Sequence, residues 1–94
     1  MDAGEVEQVV EGLRARGIVA QVHRPGLNRV CVRVVRPDGS EALWDTDGAM
    51  GLEAQVMANG MLVGYVATIP GSAHYDVAQT IEAIAAAKYV GGLR

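Results

Sequence analysis

Hydrophobic positions recur with two different periods along the chain, and the switches between them mark its elements. Val6, Val9, Val10 and Leu13 fall at the i, i+3, i+4, i+7 spacing of one helical face. Asp2, with Glu5 three residues on, has the form of a capping box. Arg14 and Arg16 suit the negative end of a helix, and Gly17 suits the left-handed residue that stops it. A helix over residues 3–16 is predicted.

The period then drops to two. Residues 18–23 and 29–36 alternate as strands around the turn-forming Pro25-Gly26-Leu27-Asn28. In the second of these strands Val30, Val32 and Val34 share one face, and Arg29, Cys31 and Arg33 share the other. Pairing His23 with Arg29 puts Ile18, Ala20 and Val22 beside the valines and leaves Gln21 and His23 beside the arginines. Pro37-Asp38-Gly39 is a three-residue hairpin loop into a strand over residues 41–45. Its register, Arg36 opposite Ser40, turns Trp44 inward and Leu43 and Asp45 outward.

Residues 46–51 read as a glycine-containing connection with room for one helical turn, before a fourth strand over residues 52–57. Asn59-Gly60 is the strongest hairpin signal in the chain, because both central positions of a two-residue primed turn need positive φ. Ala58 opposite Met61 assigns Leu52, Ala54, Val56, Val63 and Tyr65 to the core, Tyr65 under a helix. Glu53, Gln55, Met57, Leu62, Gly64 and Val66 go to the other face. Pro70-Gly71 ends the fifth strand. Val77, Ile81 and Ile84 then predict a second amphipathic helix over residues 74–89, stopped at Gly91-Gly92, with residues 91–94 as a frayed tail. The fold class expected is α+β: a five-stranded antiparallel sheet, a meander plus a hairpin, with the two terminal helices on one face.

At 94 residues the chain suits one domain with one modest core. A net charge of −3 with no run of like charges gives neither a basic field for phosphate backbones nor an extreme acidic surface. Cys31 is the one cysteine, so no internal disulfide and no cysteine-rich zinc site can form. The acidic start lacks the form of a signal peptide, and no apolar run reaches membrane-spanning length, so a cytoplasmic protein without membrane partners is expected. Arginine outnumbers lysine seven to one, the bias of GC-rich coding sequence as in actinobacteria and their phages.

The candidate chemistry is thin. His23, Cys31 and Asp45 share the outer face in the proposed register and have the residue types of a nucleophilic triad. A flat sheet face, however, offers neither oxyanion donors nor a pocket to exclude water. Asp45-Thr46-Asp47-Gly48 has the opening of a calcium loop, but the third acidic position and the distal glutamate at the required spacing are missing. His74 and Asp76 flank Tyr75 at a helix start, where Asp76 suits the dipole. The glycines assemble into no nucleotide fingerprint. No catalytic residue, metal or cofactor is therefore assigned. Arg24, Arg29, Arg33 and Arg36 gather on the first hairpin as a strip that a nucleic-acid-associated regulator would use, but no aromatic residue is interleaved for stacking and Asp38, Glu41 and Asp45 dilute the field.

Two helices cover one face of such a sheet, which leaves the other as the expected interaction surface. Its partner-binding residues are read as Met57, Leu62, Val66, Leu43, Arg33, Arg29 and Gln21, and its partner as a second copy or another protein. The element order resembles small secretion-chaperone-like and related adaptor folds, which dimerise or hold a partner through an open sheet. Those folds place a helix between strands three and four, where this chain has only residues 47–51, so the resemblance is one of topology and assigns no family. The open face leads to the expectation of a non-enzymatic interaction protein, an accessory factor, inhibitor or chaperone-like adaptor acting as a homodimer or hetero-complex.

Overall fold

The computed structural model describes residues 1–46 and 51–91. Helix α1 spans Ala3–Arg14, and its N-cap Asp2 accepts the Glu5 amide at 2.8 Å. Val6, Val9, Val10 and Leu13 are all buried. The helix ends two residues before the predicted boundary. Gly17 (φ +78°) donates to the carbonyl of Arg14 and Ile18 donates to that of Leu13, the pair of bonds that closes a helix on a left-handed residue.

The sheet is a continuous antiparallel meander of β1 (Ala20–Gly26), β2 (Arg29–Val35), β3 (Glu41–Thr46), β4 (Leu52–Ala58) and β5 (Met61–Val66). A two-residue strand β6 (Val90–Gly91) closes it against β5. The β2–β3 register is the expected one, with Val32 opposite Trp44 and Arg33 opposite Leu43. In the first hairpin the register slides by two. His23 faces Cys31 rather than Arg29, and the irregularity between His23 and Gly26 shortens the loop to Leu27-Asn28. An even slide leaves every side chain on its expected face.

The last hairpin departs in kind. Asn59 and Gly60 both have positive φ and Ala58 faces Met61 as expected. Beyond that, Met57 pairs with Leu62 but Val56 pairs with Gly64, so Val63 is an extra residue in β5. This bulge reverses the rest of the strand. Gly64 and Val66 turn into the core, with Val66 only 9 % exposed, and Tyr65 turns out to solvent. The assignment of Val66 to the outer face and of Tyr65 to the core is therefore corrected by one bulge.

A 3-10 turn at Ser72–His74 leads to α2, which runs over Val77–Ala85 instead of residues 74–89. Asp76 is its N-cap in a reciprocal capping box with Gln79. The helix stops early because Tyr89 is needed elsewhere: its hydroxyl accepts the indole N–H of the fully buried Trp44 at 3.2 Å, and its ring meets the indole edge-on. The Arg36 guanidinium lies 4.2 Å above the Tyr89 ring. Both helices pack on the Trp44 side of the sheet. They meet where Gly12 lies against Ile81, and an Arg16–Glu82 ion pair links their exposed sides. Among the described residues no helix is long and apolar enough to cross a membrane.

Candidate functional site

The helices leave one sheet face open, and the registers order it into rows running across the strands. The central row reads Gln21, Arg33, Leu43, Gln55, Tyr65, Val90, each residue facing the next in a neighbouring strand. Toward the β2–β3 turn lies a second row with Glu41 opposite Met57 and Met57 opposite Leu62. Val35 and Val19, joined by a backbone bond of 2.9 Å, extend it to the edge. Toward the β1–β2 turn lies a third, where His23 faces Cys31 and Asp45 faces Glu53.

Charge on this face is largely neutralised from within. Arg33 donates to Gln21 at 3.1 Å and forms an ion pair with Glu41, although its buried Nε is left without a partner. Arg29 reaches Asp45 at 3.1 Å. Arg36 is turned away toward Ser40 (3.3 Å) and Asp38 (3.8 Å). Three of the four hairpin arginines are thus held by carboxylates, and a guanidinium already engaged has less to give a phosphate.

The triad residues do come together. His23, Cys31 and Asp45, with Arg29 and Glu53, line a cavity of about 200 Å³. Cys31 is 4 % exposed, and burial pushes its thiol pKa up. Asp45 adds to that rise, and Arg29 opposes it only in part. Such a thiol stays protonated and is a poor nucleophile at neutral pH. Among the described residues no group of three His, Cys, Asp or Glu side chains could hold a metal. Asp45 accepts the Thr46 amide at 2.8 Å, while Asp47 and Gly48 of the calcium-loop reading, with the rest of residues 47–50 of the connection, fall outside the described residues. So do Gly92 and the rest of the tail.

The apolar part of the face lies at the opposite side. Leu62 is 61 % exposed, Tyr65 51 % and Val90 53 %. Met57 and Leu43 are half-buried between this patch and the arginines. Of the residues read from the sequence as partner-binding, Gln21, Arg29, Arg33, Leu43, Met57 and Leu62 lie on the outer face, and Val66 does not. Tyr65 and Val90 were missed. A glycine inside a strand pattern, here Gly64, was the available sign of the bulge that exposes Tyr65. Nothing in the two residues of β6 announces a strand.

No protein-family model, no curated protein and no solved structure matches the chain.

Proposed function

We propose that the chain is a non-enzymatic protein-interaction module that works through the outer face of its sheet as a homodimer. The observation that carries this reading is the grouping of Leu62, Tyr65 and Val90, all more than half exposed and neighbours across β5 and β6. Scattered exposed apolar residues need no explanation, but a contiguous group on an otherwise uncovered sheet face does. A buried, protonated Cys31 and arginines engaged with carboxylates support binding to protein over thiol chemistry or nucleic acid.

The size of the face sets the strength. Strands β3 to β6 span roughly 19 Å at about 4.8 Å per strand and run about 20 Å, or roughly 400 Å² in projection before side-chain relief is counted. Stable interfaces bury about 800 Å² per partner, so the dimer belongs at the weak end and should dissociate in the micromolar range. The test is the Leu62→Asp, Tyr65→Asp double variant in sedimentation velocity. Both side chains are exposed, so the fold should survive while the chain becomes monomeric. A variant that associates as the parent does would sink the face model and favour pairing through a free strand edge.

A further inference from the structure

We infer that the chain carries a second binding site, separate from the Leu62–Tyr65–Val90 patch, for a single-chain acyl carboxylate. Its place is where both helices end. Helix α2 stops at Ala85, and Ala85 and Ala87 bring no bulk beyond a methyl to a groove of about 520 Å³ that they share with Ile18 and Val34. Such a volume falls within the roughly 300–1,000 Å³ of small-molecule sites. The buried Val34 and Ile84 form its floor, the half-buried Ile18 and Ala87 its walls, and the exposed Val19 and Pro37 its mouth. The polar side chains in the lining are both engaged. Arg36 is held by Ser40 and Asp38, and the Tyr89 hydroxyl by the Trp44 indole.

An aliphatic lining suits a hydrocarbon chain better than a peptide, whose amides would be desolvated there without side-chain partners. Charge at the rim then chooses the head group. Arg14 Nε donates to the Ala20 carbonyl at 2.8 Å, which holds the guanidinium next to Val19 at the mouth. Lys88 is exposed and stands in the chain between Ala87 and Tyr89, both in the lining, with a flexible stem to carry its ammonium. Neither cation forms an ion pair among the described residues, whereas Arg16 is paired with Glu82 and Arg36 with Asp38. The α1 carboxylates Glu7 and Glu11 line a different surface with Gly4 and Gln8. The rim is therefore locally positive on a chain of net charge −3, and an apolar groove with a cationic rim complements an amphipathic anion. Two cations are too few for an anionic membrane surface, which recruits clusters of about 4–8.

Calorimetric titration of the chain with dodecanoate, kept below its micelle concentration, tests the site. A dissociation constant of about 0.1 mM is expected, with dodecyltrimethylammonium, the same chain under the opposite charge, binding about ten-fold more weakly or not at all. Ala85→Leu and Ala87→Leu each fill the groove and should weaken dodecanoate about ten-fold or more. Ala85 is exposed, so that variant keeps its fold, checked by parental Trp44 emission. Lys88→Glu and Arg14→Glu should each cost about two- to five-fold. The Leu62→Asp, Tyr65→Asp double variant should bind dodecanoate as the parent does, which keeps this site distinct from the outer face. Equal affinity for the two head groups, or full binding by a folded Ala85→Leu chain, would overturn the site. So would a parent that ignores dodecanoate, and pelleting of that parent with phosphatidylglycerol vesicles would assign the cationic rim to a membrane surface instead.

Discussion

Replacing Gly51 by alanine should be the most damaging single-methyl change in the chain, for two separable reasons. Gly51 enters β4 with φ +108°, outside the region open to residues with a side chain, at a cost of roughly 1–3 kcal/mol. An added Cβ would also fall on the Ser72 hydroxyl and lie 3.1 Å from the Ala73 amide nitrogen. That hydroxyl is buried and accepts the Leu52 amide at 2.7 Å while donating to the Ile69 carbonyl. Displacing it leaves Leu52 N–H unsatisfied at the start of a core strand, a further loss of about 1–3 kcal/mol. Gly17→Ala is the control, since Gly17 also has positive φ but no atom near the new methyl, and should cost only about 1–2 kcal/mol. Urea unfolding followed by Trp44 emission, at one fixed chain concentration because association adds to apparent stability, gives both values. Equal losses for the two variants would refute the packing argument around Ser72.

Tyr89→Phe removes the acceptor of the Trp44 indole N–H and should cost roughly 1–3 kcal/mol while changing the emission of the folded state; unchanged stability and spectrum would mean that Tyr89 only fills space. The raised pKa values of Cys31 and Tyr89 make stability alkaline-sensitive. Each contribution is fully present below the group's ordinary pKa, about 8.5 for the thiol and 10 for the phenol, and is lost as pH climbs through the higher folded value. Cys31→Ser should flatten the earlier part of that decline, and the parent thiol should react with a disulfide reagent at pH 7 more slowly than free cysteine. Reaction at or above the free rate would revive Cys31 as a nucleophile.

Where local chemistry decided the structure, the sequence was legible. The cap at Asp2 with four apolar residues on one stripe specifies α1, and Pro37-Asp38-Gly39 sets the β2–β3 register that buries Trp44 and turns Leu43 outward. The β1–β2 register was off by two because Pro25 and Gly26 belong to an irregular strand end rather than an open loop, and an even error spares the faces. The extra residue at Val63 is different, since an odd insertion inverts all that follows, and only Gly64 hinted at it. The end of α2 is set by a contact far away in sequence, the Tyr89 hydroxyl on Trp44, which helical periodicity cannot reveal. The outer face was therefore correctly placed up to Leu62, and wrong beyond the bulge, where the exposed Tyr65 lies.

The open sheet face is tested most directly by the molar mass of the unmodified chain, measured by light scattering on a sizing column across a concentration series. A mass rising from 9.9 kDa toward twice that value through the micromolar range is the expected result. A mass of 9.9 kDa at every concentration would contradict self-association through β4, β5 and β6.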